Sequence, residues 1–224
     1  MGLPRITRSS PRSARRGFTL LETSMALIII GVGVLAFVEA QRSFMANNEW
    51  SSHTARAMYL ANEVRELCRR LPRHDPVTGL YFSELDGDQV LQGWGMEENE
   101  NEPDDIDDID DLDGVTFGTG GDFAGPIDSY GNVIPQINAS GEQSEDEDGN
   151  PLGMEGWTQS VVVEKVDPFN YATVRAHEFL EAPQGAFKGR GVDKYPLRVT
   201  VTVSYQGPYD SQSRVVATVT WIAP

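Results

Sequence analysis

The sequence predicts an α+β protein: a long N-terminal helix packed on a C-terminal antiparallel β-sheet, with an acidic, loop-rich insertion between them. Three patterns carry this expectation. From Phe18 to Leu71 no proline interrupts a stretch of 54 residues, continuously apolar in its first half and striped in its second. Leu197–Tyr205 alternates apolar and polar side chains without a fault, and Val215, Ala217, Val219 and Trp221 repeat the alternation. Between these regions, residues 74–164 contain no Lys or Arg and hold 24 of the chain's 34 acids.

The first element is a basic leader, residues 1–17, with Arg5, Arg8, Arg12, Arg15 and Arg16 and no acid. That charge keeps it on the cytoplasmic side of a membrane and sends the following segment across. Phe18–Val38 is 21 residues long, close to the ~20 needed to span a hydrocarbon core. Met25–Val38 carries no polar side chain. Residues 18–40 are therefore expected to form the transmembrane half of the helix. Glu22 is the anomaly, because an ionisable group inside a membrane segment costs at least ~2.5 kcal/mol and so calls for a partner.

The junction Arg15-Arg16-Gly17-Phe18-Thr19-Leu20-Leu21-Glu22 places a glycine after a basic end and a carboxylate at the fifth position of the apolar run. It resembles the processing site of type IV prepilins and type II secretion pseudopilins. The resemblance implies that prepilin peptidase cuts between Gly17 and Phe18 and methylates the new N-terminus. It also implies that Glu22 pairs with the Phe18 amine of a neighbouring subunit. The product would be a structural subunit of a pilus or secretion pseudopilus and not an enzyme. Its partners would be the peptidase, other pilin or pseudopilin subunits, the inner-membrane assembly platform and, before assembly, the lipid bilayer. The chain would sit in the bacterial inner membrane with its N-terminus cytoplasmic and its C-terminus periplasmic, and then enter the fibre.

A competing reading of the same stretch is a Sec or Tat signal ahead of an acidic, tethered or periplasmic binding module. A signal's apolar region usually runs only about 7–15 residues. The prepilin pattern instead uses Gly17, Phe18, Leu20, Leu21 and Glu22 together. Within the family, Tyr59–Val64, the single cysteine at the helix end and the Asp-Ile-Asp-Asp-Leu-Asp-Gly segment most resemble minor pilins of the PilV or MSHA type and minor pseudopilin I.

Residues 41–73 continue the helix as an amphipathic half. Ala57, Leu60, Val64, Leu67 and Leu71 recur at spacings of four, four, three and four, one face of a helix, and Pro72 ends it. A helix of this length would reach ~80 Å. Gly31 and Gly33 fall in the membrane half, where close packing of neighbouring helices can use them. Arg65, Arg69, Arg70 and Arg73 complement the dipole at the helix end. Their side chains are expected in solvent or against the acidic loop that follows. Cys68 sits in the apolar pattern and is expected as a buried, inert thiol.

In the acidic region, residues 74–155, Leu80–Phe82 and Val115–Phe117 are candidate short strands, and residues 126–135 read as a hairpin turning at Tyr130-Gly131-Asn132. The run Asp104–Gly114 reads as a solvated stretch that must extend, meet arginines or bind cations. Two calcium readings follow. Ser144, Asp146, Asp148 and Glu155 take loop positions 1, 3, 5 and 12 of an EF-hand-like spacing with Gly149 at 6, although Pro151 interrupts the usual strand. Asp110, Asp111 and Asp113 are the alternative ligand set. No cofactor is required by either the fold or the motif.

Residues 156–224 read as sheet. Trp157–Val166 supplies one strand, ending at Asp167-Pro168, and the two alternating runs form a hairpin across Gln206–Ser211. The buried face of the sheet and the apolar stripe of the helix are natural partners.

Composition excludes some functions. The formal net charge is −16, and without the five leader arginines 13 Lys+Arg face 34 Asp+Glu, a net −21. Such a surface repels nucleic acid. The three histidines, His53, His74 and His177, are scattered, one cysteine forms no internal disulfide, and no nucleophile motif precedes a base.

Overall fold

A computed structural model describes residues 19–85, 87–97, 100 and 102–224. The chain divides into two compact units, residues 1–50 and 51–224. Gly17 and Phe18 lie outside the described residues.

Helix α1, Leu20–Cys68, runs from the first unit into the second. Its start is held by the Thr19 hydroxyl, which accepts the Glu22 N–H at 3.3 Å, one of the amide donors a helix N-terminus leaves without an internal partner. Thr23 and Ser24 turn their hydroxyls back onto the Leu20 carbonyl, at 2.9 and 2.7 Å, so these polar groups are satisfied within the helix. Along Leu20–Val38 every large apolar side chain is exposed, from 40% at Val38 to 89% at Leu20. The helix is long and apolar enough here to cross a membrane. It ends three residues before Leu71, because the Arg70 N–H closes a tighter turn on the Leu67 carbonyl at 2.9 Å.

In the second unit a five-stranded antiparallel sheet comprises β3 (Thr116–Gly118), β4 (Trp157–Asp167), β5 (Asn170–Val174), β6 (Leu197–Tyr205) and β7 (Arg214–Ala223). The order is β3-β4-β6-β7, with β5 on β4. Val201 of β6 lies opposite Val161 of β4 on one side and Val219 of β7 on the other. The period-two pattern appears as burial: Leu197, Val199, Val201 and Val203 are fully buried, and their even-numbered neighbours are half-buried. Against this face packs the apolar stripe Ala57, Leu60, Ala61, Val64 and Leu67, all in one core with Trp157, Phe117 and Ile127. The architecture is thus the α+β, pilin-like one that the sequence predicts.

A separate hairpin, β1 (Tyr81–Leu85) with β2 (Asp88–Gln92), lies in the acidic region. Neither β2 nor β5 was expected. β5 follows from turn chemistry at the end of β4: the Asp167 carboxylate accepts the Phe169 and Asn170 amides at 2.8 and 3.2 Å and returns the chain antiparallel.

Candidate functional site: an N-terminal motif and a buried acidic turn

The first site is the start of α1. Glu22 is exposed there, in the helix's first turn, among exposed Leu20, Leu21 and Met25. It forms no salt bridge among the described residues.

The second site lies within the long acidic region, and here the structure corrects the expectation of a solvated run. Asp108, Asp110 and Asp111 are buried, at 1%, 0% and 1% exposure. The reason lies in the residues between them. Ile106, Ile109, Leu112 and Val115 recur every third residue, the period of a 3-10 turn, and Asp110–Leu112 forms one. Ile109, Leu112 and Val115 enter the main core while Ile106 packs at its edge. The aspartates that follow them inward become acceptors for backbone amides. Asp108 Oδ1 takes the N–H groups of Asp110 and Asp111 at 2.8 and 3.1 Å, and Asp111 Oδ2 takes those of Asp107 and Asp108 at 3.1 and 3.2 Å. The Ile109 N–H donates to the Pro72 carbonyl and the Gly114 N–H to Val161, so the turn is fastened to the end of α1 and to β4.

Asp113 and Asp110 serve as clamps to other elements. Asp113 Oδ1 accepts the Val163 N–H at 2.9 Å, and its Oδ2 accepts the Trp94 indole at 3.1 Å. Asp110 meets His74 Nδ1 at 2.7 Å and the Gly95 N–H at 3.3 Å. Burial lowers His74 to about 4, so at neutral pH its ring is uncharged and the contact is a hydrogen bond between a neutral imidazole and the Asp110 carboxyl group. Burial likewise raises Asp108 to about 8 and both Asp110 and Asp111 to about 7.

Behind the turn, Lys165 is wholly buried on the core face of β4, where alternation would place an apolar residue. Its ammonium donates to the His177 carbonyl and lies 5.8 Å from the centre of the Trp94 ring and 5.5 Å from that of Tyr195. Burial pushes it down to about 8.

Of the carboxylates expected as calcium ligands, only Asp111 belongs, among the described residues, to a group of three acids close enough to share one ion. Its neighbours are Glu97 and Glu100 on one side and Asp107 and Asp108 on the other. None of these four was singled out from the sequence. The period-three apolar residues inside the acidic run were the signal that the turn folds inward.

Ser144, Asp146, Asp148 and Glu155 fall in a different construction. Three turns of one kind follow each other, at Asp128-x-x-Gly131-Asn132, Asn138-x-x-Gly141-Glu142 and Asp146-x-x-Gly149-Asn150. In each, the first side chain's Oδ1 accepts amides two and four residues on, and the glycine N–H returns to the first residue's carbonyl. The bridges Ile127↔Val133, Ile137↔Gln143 and Glu145↔Pro151 close them. Gly131, Gly141 and Gly149 all have φ between 83° and 88°, which disfavours a side chain at this turn position. The hairpin expected at residues 126–135 is the first of these turns. Asp146 Oδ1 is thus occupied by the Asp148 and Asn150 amides, and Asp146, Asp148 and Glu155 do not come together among the described residues.

The arginines at the helix end form no salt bridge with the acidic region among the described residues, but Arg70 does lie against that region, through the Ser129 carbonyl and over the Tyr130 ring. Arg69 meets Glu66 of its own helix at 2.7 Å, Arg70 donates to the Ser129 carbonyl at 2.9 Å, and Arg73 to the Tyr195 carbonyl at 2.9 Å. Backbone carbonyls fixed by the fold satisfy two of them without an ion pair. Cys68 is buried, and its thiol is pushed up to about 12, which makes it inert at neutral pH.

The chain matches the prokaryotic N-terminal methylation motif over residues 12–38. No curated protein and no solved structure matches it. The matched segment contains Gly17, Phe18 and Glu22 and includes the exposed apolar part of α1, Leu20–Val38. Motif and architecture together support a type IV pilin-like or pseudopilin protein, structural in kind and anchored through its apolar N-terminal helix.

Proposed function

We propose that this chain is a minor type IV pilin or pseudopilin, cut by prepilin peptidase after Gly17, N-methylated at Phe18 and assembled through α1 into a pilus or secretion pseudopilus. The methylation motif over residues 12–38, placed at the head of a helix whose large apolar residues from Leu20 to Val38 are all exposed, carries this reading. An apolar helix of this kind gains stability only by entering lipid or by packing against equivalent helices, and a fibre of such subunits provides the second after the first. The other subunits and the inner-membrane assembly platform are its partners. The features shared with PilV-type and MSHA-type minor pilins and with minor pseudopilin I favour a low-abundance position in the fibre. A catalytic role has no support, since the titratable groups that gather in the head do so around a structural turn.

In this reading Glu22 neutralises the Phe18 amine of an adjacent subunit in a low-dielectric interior. Glu22→Ala removes a costly group from the span, so insertion in the membrane is expected to be unchanged and recovery in sheared fibres strongly reduced. Fractionation of cells into membrane and fibre pools, with the variant quantified in each, measures both. Equal recovery of variant and native chain in the fibre pool contradicts the pairing.

A further inference from the structure

We propose that Glu97, Glu100 and Asp111 bind a divalent cation, calcium by the chemistry of the donors, where the segment after β2 meets the Asp110–Leu112 turn. One carboxylate oxygen from each lies within 4.8 Å of the others. Two oxygens bound to one calcium at 2.3–2.6 Å are separated by at most about 5 Å, so the spacing suits one ion.

The independent observation is an orphaned buried oxygen. Asp111 is 1% exposed, its Oδ2 is saturated by two backbone amides, and its Oδ1 is buried with no hydrogen-bond partner. Both carboxylate oxygens of Glu97 are buried and unpartnered as well. Glu100 sets another carboxylate beside them, a contact that holds together without a cation only by sharing a proton, and its Oε2 also accepts the Glu97 N–H at 2.9 Å. Acceptors therefore face acceptors, and no Lys or Arg forms a salt bridge with any of the three among the described residues. Leaving a carboxylate buried without a donor or counter-charge is costly, and a cation offsets it.

The ligands are all oxygen, and the one histidine beside the turn, His74, is turned to Asp110. That donor set selects a hard cation over zinc or copper. Asp107 and Asp108, which also lie within reach of Asp111, add negative charge to the same spot. Asp110 and Asp113 are engaged in the clamps to Gly95, His74, Trp94 and Val163 and are not needed as ligands. A cation here would fix the segment after β2 to the turn that docks on the end of α1, tying the order of the head to the calcium of its surroundings.

The test uses the full chain in detergent, stripped with chelator. Melting temperature is followed against calcium chloride to several millimolar, the range in which extracellular sites often bind, with magnesium chloride at equal ionic strength as control. Terbium luminescence excited through tryptophan, with Trp94 three residues from Glu97, reports direct binding. A saturable, calcium-selective rise of several degrees is expected. Glu97→Gln and Glu100→Gln are expected to lose that rise and the terbium signal, while melting higher than the native chain without calcium because a carboxamide supplies the missing donor. Asp146→Asn with Asp148→Asn should change neither. Equal effects of calcium and magnesium, or no binding to the native chain, overturn the proposal. So does a calcium response that survives Glu97→Gln with Glu100→Gln, or one abolished only by the Asp146 and Asp148 changes. Because the native chain alone can refute it, a variant that fails to fold does not shelter the idea.

Discussion

Gly17→Arg is expected to leave residues 1–17 attached and the protein stranded in the membrane, with near-complete loss of the processed form. In the proposed topology the basic leader stays cytoplasmic, so the peptide bond between Gly17 and Phe18 would be presented at the membrane surface, where a glycine leaves the bond open to a protease. A long cationic side chain at that position both fills the space and binds the anionic surface. Immunoblots of cells carrying the native or variant chain separate the two sizes. A normal yield of the shorter form from Gly17→Arg counts against processing at this junction.

The second large effect is expected inside the head, at Gln159. This residue occupies a core-facing position of β4 and is fully buried, yet polar. Its Oε1 accepts the Ile127 N–H at 2.7 Å, and its Nε2 donates to the Leu60 carbonyl of α1 at 2.8 Å and to the Ile127 carbonyl at 3.1 Å. One side chain therefore joins helix, sheet and the first of the three successive turns. Gln159→Leu keeps the volume but leaves the Ile127 N–H and carbonyl buried without partners, at ~1–3 kcal/mol each, so a loss of about 2–6 kcal/mol is expected. Against the 5–15 kcal/mol typical of a folded domain this is a large fraction. Denaturant titration of the full chain in detergent, followed by tryptophan fluorescence, measures it. A loss below about 0.5 kcal/mol, the usual range of an exposed substitution, shows that the clamp contributes nothing special.

Much of the architecture was legible because it rests on strict periods. The strand 197–205 is bounded in the structure as its alternation predicts, and the helix stripe from Ala57 to Leu67 is the face that the core buries. Strands β2 and β5 were not legible. They are five residues each, and β2 pairs only within its own small hairpin, so neither carries a long pattern. The acidic run misled because charge was weighed ahead of period. Read by charge, Asp104–Asp113 belongs in water, as exposed Asp104 and Asp107 do; read by Ile106, Ile109 and Leu112, its second half folds inward and takes Asp108, Asp110 and Asp111 along. Lys165 and Gln159 were overlooked for the opposite reason, since a polar residue on a strand's apolar face matters only when the partners that satisfy it, here carbonyls and amides distant in sequence, are known.

The EF-hand-like spacing at Ser144–Glu155 shares its Asp-x-Asp-Gly pattern with turns that use the same carboxylate to hold backbone amides. A repeat of that turn at Asp128 and Asn138 was visible in the sequence and distinguishes the two uses. The N-terminal junction was read from residue identity alone, and the family match falls on the same residues.

The intact mass of the mature protein, purified from cells that make the fibre, tests the central claim most directly. The account predicts a chain that begins at Phe18 and carries one methyl group on its amine. A chain beginning at Gln41, as after a conventional signal peptide, or one retaining residues 1–17 where the peptidase is active, contradicts it.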